Sequence, residues 1–451
     1  MHVTEEVIRI MRRIFLIWCL SLFIGGVYAQ EKMAEIALSL PGGHVSGVAL
    51  ELNERIVELG VNGEGKVQAK IPVSGGEYAR LWIGQGWFPV WLEPDKPWQA
   101  KVDNNGAYFE GAGAAINTYL NTKPKNQIER YDYKMDDASF RAKLQKLDEE
   151  KKQLLTSSNL DADFTAKELK RIAYTRNYYL ASFVIGGGAD GTMNLSGDTF
   201  SELQQALKED PDSWGILGYT ESLNRVVFAF AKMDETSTTP YAVLLNALKI
   251  AMENFKDKRT LEDVVMNAVM EYVGFQGMEN TEEMDRIFRQ CVTRPDYVEE
   301  YERMYADFKR LGKGAPAVPF KFKDINGNEV SLADLKGKYV YVDIWATWCG
   351  PCNAEIPKLK ELEKKLEGRN ICFVSISCDE DKAAWERFVK EKEMGGIQLH
   401  FGGDQNFMAM IKCDGIPRFM LIDREGKFID SNMTRPSEAA TWKTLEALPG
   451  L

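Results

Sequence analysis

The stretch Trp348-Cys349-Gly350-Pro351-Cys352 constrains this chain more than any other, because of what flanks it. Before it runs an apolar segment, Tyr339 to Trp345, rich in aromatic and β-branched residues and of the length of a buried strand. After it, residues Asn353 to Leu366 carry apolar side chains at helical spacing. The five residues therefore read as a strand-to-helix turn. Two cysteines separated by two residues at such a turn suit thiol–disulfide exchange. The first sulfur sits at the helix N-terminus, where unpaired N–H groups and the helix dipole favour a thiolate. The second lies one turn on, within reach of a mixed disulfide formed on the first. Gly350 keeps the turn uncrowded, and Pro351 supplies a φ suited to the first helical turn. Cys349 is the candidate nucleophile, expected to be the more exposed and more acidic of the two. Cys352 is the candidate resolving thiol, and the pair forms the candidate redox disulfide.

Zinc sites use the same cysteine spacing. A zinc site would need two more ligands, and beyond residue 29 the chain offers only His44 and His400 and no second Cys-x-x-Cys. No metal is expected. Residue 353 is Asn rather than His, which excludes haem attachment. A peroxiredoxin would need Pro-x-x-x-Thr-x-x-Cys, which Cys349 lacks. No cofactor is expected beyond the dithiol itself.

The run Val340-Tyr-Val-Asp-Ile-Trp-Ala-Thr-Trp-Cys-Gly-Pro-Cys352 resembles the active-site segment of the thioredoxin superfamily. Asn353-Ala-Glu355-Ile-Pro357-Lys-Leu359, with Gly314-Ala-Pro316 and Asp324-Ile-Asn-Gly327 before the strand, resembles its TlpA/ResA branch. That branch consists of extracytoplasmic, often anchored reductases, and the resemblance covers about Gly314 to Leu451. It implies a role for Asp343 as the family's buried carboxylate, relaying the proton of Cys352, and for Pro357 as its helix-kinking proline. Gly415-Ile416-Pro417-Arg418-Phe419 is similar to the cis-proline loop. A cis bond before Pro417 would place the Ile416 backbone beside the dithiol, ready to pair with an extended substrate strand. Trp348, Ile416 and Arg418 are then the candidate substrate-binding residues. The bland alternatives are an ordinary proline opening a strand, a solvated charge at Arg418 and a merely satisfied polar residue at Asp343. In an apolar strand Asp343 should have a raised pKa. The lysine that pairs with this carboxylate in cytoplasmic thioredoxins is absent, since the neighbouring strand reads Phe373-Val-Ser-Ile-Ser-Cys378. Glu355 belongs to the resemblance, but alone it reads as a first-turn carboxylate favoured by the dipole.

Gly-Pro between the cysteines matches reducing thioredoxins near about −270 mV rather than strong oxidants near about −120 mV. Reduction of disulfides in exported proteins is therefore the expected activity, and the resemblance implies a membrane thiol-reductant donor. The rival readings are a disulfide oxidase or isomerase, or a peptide- or glycan-binding protein with an auxiliary redox domain.

The remainder of the chain sets the context. A length of 451 residues implies two or three domains. A net charge of −11, with no lysine- or arginine-rich block, argues against nucleic acid and anionic membrane surfaces as partners. Arg12-Arg13, the apolar run Ile14 to Ile24 and Val27-Tyr28-Ala29 form a signal peptide ending at residue 29. Met11 fits its start better than Met1, which makes residues 1–10 a candidate mis-called extension. Leu16-Ile-Trp-Cys19 faintly resembles a lipoprotein box, but Trp18 is too large there, so a lipid-anchored form is not expected. No later stretch is long and apolar enough to span a bilayer. The expected destination is the periplasm.

Residues 30–112 alternate apolar and polar residues between turn signals such as Asn62-Gly63 and Gly75-Gly76, which predicts an all-β, sandwich-like domain. It is similar to the β-rich domain often placed before thioredoxin domains in exported bacterial proteins. Trp82, Trp87, Trp91 and Trp98 crowd it, either as core and rim or as a binding stripe. Residues 113–312 read as an all-α domain, with helices over 138–155, 164–183, 200–207, 241–255, 261–273 and 284–308. Residues 313–451 form the thioredoxin-like α/β domain. Beyond the redox pair, Cys378 and Cys413 both fall toward the active-site edge of such a sheet, leaving open either a bridge between them or two buried thiols.

Overall fold

The computed structural model describes residues 32–40, 47–53, 55–84, 86–103, 106–187, 195–278, 280–413 and 415–451. The signal segment and His44 lie outside them. The chain divides into two compact units, one ending at Val298 and one spanning Glu299–Leu451.

The first unit begins with eight strands: β1 (Met33–Ser39), β2 (Val48–Leu52), β3 (Arg55–Leu59), β4 (Lys66–Pro72), β5 (Glu77–Ile83), β6 (Gly86–Leu92), β7 (Trp98–Asp103) and β8 (Gly106–Gly111). They form two four-stranded sheets, ordered β4-β1-β7-β8 and β3-β2-β5-β6. Period-two alternation explains the packing. Ala34, Ile36 and Leu38 of β1 point inward and meet Leu50, Leu81 and Val90 from the other sheet in one core. The tryptophans split between core and rim. Trp91 and Trp98 are buried, Trp82 is half-buried, and Trp87 is exposed.

Helices follow: α1 (Ala114–Asn121), α2 (Asp137–Ser157), α3 (Ala162–Gly186), α4 (Gly197–Ala206), α5 (Tyr219–Met233), α6 (Pro240–Asn254), α7 (Lys258–Gln276), α8 (Glu282–Cys291) and α9 (Pro295–Leu311). Residues 284–308, expected as one helix, are two. The chain leaves α8 at Val292, and Pro295 opens α9 at the first helical position, where its missing N–H costs nothing. Helices α1 and α5 are additional to those expected. The sandwich and the helices share a polar knot with no solvent exposure at its centre. Glu168 of α3 accepts from Tyr78 Oη of β5 at 2.8 Å, from Tyr119 Oη of α1 at 3.0 Å, and from Arg171 Nε and Nη2 at 2.7 and 2.6 Å. Around it Tyr78, Trp91 and Phe164 pack edge-on.

The second unit takes in α9 from Glu299 onward and adds β9 (Lys321–Asp324), β10 (Glu329–Ser331), β11 (Tyr339–Trp345), α10 (Gly350–Lys365), β12 (Ile371–Ser377), α11 (Lys382–Glu391), β13 (Ile397–His400), α12 (Gln405–Met410), β14 (Arg418–Ile422), β15 (Phe428–Met433) and α13 (Ala439–Glu446). One seven-stranded sheet has the order β10-β9-β13-β12-β11-β14-β15. Strands β11, β12 and β13 are parallel, and β14 joins β11 antiparallel. All seven residues of β11 are buried, as an apolar run broken only by Asp343 requires of a central strand covered on both faces. Val340, Val342 and Ile344 enter one core, whereas Tyr339 and Tyr341 enter another with Leu359 and Leu362 of α10. By this alternation Asp343 belongs to the α10 face.

Candidate active site

The redox pair lies where β11 hands over to α10. Cys349 is the residue before the first helical turn, with extended backbone (φ −83°, ψ 99°). Its Sγ accepts from the backbone N–H of Cys352 at 3.2 Å, the place a serine or aspartate cap oxygen would take. Cys349 and Cys352 are joined by a disulfide with an S–S distance of 2.07 Å. Both are buried, at 5 % and 3 % exposure, so the expected difference in exposure between them is slight. They pack with Trp345, Ala346, Trp385 and Val389, and Ile416 lies against this cluster. Trp348, by contrast, projects into solvent at 70 % exposure.

The Ile416–Pro417 peptide is cis. The Ile416 carbonyl oxygen lies 3.8 Å from Cys349 Sγ, so the loop before β14 and the start of α10 meet at the disulfide. Arg418 sits opposite Ile344 of β11, and its Nε donates to the Ser431 carbonyl at 3.0 Å. That bond holds it on β15.

Asp343 faces Ser375 on β12 and Phe419 on β14. Burial pushes its carboxyl up to about 8; a hydrogen bond from Ser375 opposes this, while the negative charges of Glu355 and Glu363 add to it. Serine supplies a partner but no countercharge. Glu355 is more than a first-turn carboxylate. It is buried and accepts from Ser437 N at 3.0 Å and Ser437 Oγ at 2.9 Å, which ties α10 to the segment before α13.

Sequence reasoning passed over Asp379. This buried carboxylate, just past the end of β12, accepts from Thr347 N at 3.2 and 3.0 Å and from Thr347 Oγ1 at 2.6 Å. Ser377 Oγ also donates to it at 2.7 Å. On the other side of Thr347, its carbonyl accepts from Asn353 Nδ2 at 2.9 Å. The residue two before Cys349 is thus gripped through N–H, hydroxyl and C=O. The only local signal is an acidic residue directly after an apolar strand, which is too common to single out.

Cys378 and Cys413 are not in disulfides. Each sulfur lies 3.3 Å from a backbone carbonyl, Trp345 for Cys378 and Gly415 for Cys413. Burial, with further contributions from Asp379 and Cys413, pushes the Cys378 thiol up to about 11. It is therefore protonated at neutral pH and a poor nucleophile. Among the described residues no group of three or more His, Cys, Asp or Glu side chains is arranged to hold a metal ion. Nor is any helix long and apolar enough to cross a membrane.

Residues 311–446 match the Redoxin family. The thiol-disulfide oxidoreductase ResA of Bacillus thuringiensis (strain Al Hakam) is 30% identical over 132 residues, which are 29% of this chain and 75% of that protein. The ResA protein of Bacillus cereus (strain ATCC 10987 / NRS 248) is 31% identical over 133 residues, 29% of this chain and 74% of that protein. A solution structure from Bacteroides vulgatus, described as a candidate thiol-disulfide oxidoreductase, is 56% identical, covers 30% of this chain and 89% of its own, and superposes with a TM-score of 0.28.

Proposed function

The chain belongs, through its C-terminal unit, to the ResA-like thiol–disulfide oxidoreductases, and from that membership we propose that it is an exported reductase of protein disulfides. The observation that carries this reading is the Cys349–Cys352 disulfide at the start of α10, with the Cys352 N–H directed at Cys349 Sγ at 3.2 Å. In the reduced protein the same N–H and the helix terminus would stabilise negative charge on Cys349.

The cycle begins with the dithiol. The Cys349 thiolate attacks one sulfur of a substrate disulfide; that S–S bond breaks, and one substrate thiolate leaves. Cys352 then loses its proton and attacks the Cys349 sulfur of the mixed disulfide. The second substrate thiolate leaves, and two electrons have passed from the dithiol to the substrate. Asp343 is the candidate acceptor for the Cys352 proton. A carboxyl near 8 is close in basicity to an ordinary thiol near about 8.5, so the transfer is nearly balanced. The cis Ile416–Pro417 bond beside Cys349 leaves backbone there for an extended substrate to pair with, and Trp348 offers an exposed aromatic ledge. Arg418 has a smaller part in this scheme, because its guanidinium is engaged with Ser431.

The reducing direction is favoured by Gly350-Pro351, and export by the segment Arg12 to Ala29. Turnover then requires a thiol donor at the membrane, with disulfide-bearing exported proteins as the substrates. The residues before the second unit serve to select or position those substrates. A Cys352→Ala variant tests the scheme. It should accumulate mixed disulfides through Cys349, and a Cys349→Ala variant should accumulate none. The redox potential of the pair should lie near about −270 mV, and a value near about −120 mV would make the protein an oxidant and overturn the reductase reading.

A further inference from the structure

A cavity of about 570 Å³ opens beside the redox turn. Its size falls within the roughly 300–1,000 Å³ of ligand sites, more than a single side chain needs. Two of its wall residues, Thr347 and Trp348, are the pair that immediately precede Cys349. The cavity therefore adjoins the residues that lead into the redox pair.

The lining has two characters. Phe401, Met408 and Ala384 form an apolar part, and the thioether of Met408 adapts readily to different shapes. The rest of the lining includes the continuous acidic run Asp379-Glu380-Asp381. Asp379 is committed to Thr347 and Ser377, and Asp381 accepts from Ala384 N at 3.0 Å as the cap of α11. Both still contribute negative potential. Glu380 is exposed. Among the described residues no lysine or arginine lines the cavity, and the adjacent Lys382 pairs with Glu386 at 3.2 Å. A low-dielectric wall beside uncompensated carboxylates concentrates a negative field at the opening.

We propose that this cavity is a substrate subsite that takes a lysine- or arginine-bearing segment flanking the substrate's disulfide cysteine. It rests on the reductase reading only for the identity of the occupant. The aliphatic stem of the basic residue packs on Phe401 and Met408, as such stems do on apolar surfaces. Its cationic head meets Glu380 at the mouth, where the Trp348 ring offers a second, cation–π, partner. An acidic or short polar flank finds neither, so the subsite ranks substrates by the charge beside their disulfide.

The test uses the full oxidised chain and three peptides of equal length with serine where a substrate's cysteine would stand. They differ only in the flanking residue: lysine, norleucine or glutamate. Because no exchange takes place, the result is independent of whether the protein reduces disulfides, which trapping and the redox potential decide separately. The lysine peptide should bind tightest, norleucine next and glutamate weakest, with about a tenfold spread between the extremes at low salt. Raising the salt to about 0.5 M, where screening shortens the reach of exposed charges, should shrink the lysine–glutamate ratio and leave norleucine little changed. In Glu380→Lys the ratio should fall to about one or invert. The inference is overturned by an absence of saturable binding of the lysine peptide, by equal binding of the three, or by a ratio unchanged in both high salt and Glu380→Lys.

Discussion

Replacing Asp343 by asparagine tests the central strand and the chemistry together. The side chain keeps its shape and its ability to bond Ser375, and loses only the ionisation. In the folded chain this carboxyl titrates near 8, whereas an unfolded aspartate titrates near about 3.9. For an acid whose folded value is raised, the favourable contribution is complete below the unfolded value and is lost as pH climbs to the folded one. Each pH unit between them costs the wild type about 1.4 kcal/mol, so the loss reaches about 4 kcal/mol at pH 7 and about 5 kcal/mol at pH 8, and levels off near about 6 kcal/mol above it. The asparagine side chain carries no such term. The variant should match the wild type to within about 1 kcal/mol at pH 4 and exceed it progressively up to pH 8. Hydrogen exchange of β11 and β12 amides, corrected for intrinsic rates, reports opening of this unit without interference from the other. The same substitution, with Cys352 present, should slow resolution of a mixed disulfide on Cys349 by about a hundredfold at pH 8 and abolish a rate dependence centred near that pH. Parallel pH profiles of stability in the two proteins would refute the buried-carboxylate account. A resolving step unchanged in rate would remove Asp343 from the proton path.

Asp379→Ala should destabilise the second unit by about 2 kcal/mol, since it leaves the half-buried Thr347 N–H and hydroxyl and the buried Ser377 hydroxyl without their acceptor, and Asp379→Asn by distinctly less, as read from the urea midpoint. Glu168→Ala leaves the half-buried Arg171 guanidinium without its carboxylate and the Tyr78 and Tyr119 hydroxyls without their acceptor, and should cost about 3 kcal/mol; limited proteolysis should show sandwich and helices loosening together, and independent melting would refute a shared knot. The segment 299–451, once shown to be folded by circular dichroism, should reduce insulin about as fast as the whole chain, because the proposed catalytic residues all lie within it; a folded but inactive segment would assign chemistry to the first unit.

The elements most legible in the sequence are those whose signals are local. The handover from β11 to α10 is written in seven consecutive buried residues, a cysteine acting as cap and a proline in the first helical turn. Strand β12 and its parallel pairing follow from a second apolar run after a crossover helix. Helix α5 has apolar residues at Tyr219, Leu223, Val226, Val227 and Phe230, but it starts after Gly218 in a left-handed conformation with no side-chain cap, so the usual start signal is missing. The α8–α9 break is the reverse case, because apolar spacing continues across it and hides the start that Pro295 marks.

The sequence by itself determined the dithiol, its position at a helix start and the carboxylate behind it, because each depends on residues a few positions apart in one strand and one turn. Tertiary structure alone decided what surrounds them. Asp379 meets Thr347 from 32 residues away, Ser437 meets Glu355 from 82, and the Ile416 carbonyl meets Cys349 from 67. Those meetings depend on strand order, with β12 and β14 placed on either side of β11. Strand order is chosen by the packing of both sheet faces at once, a sum over many side chains that no short window of sequence contains.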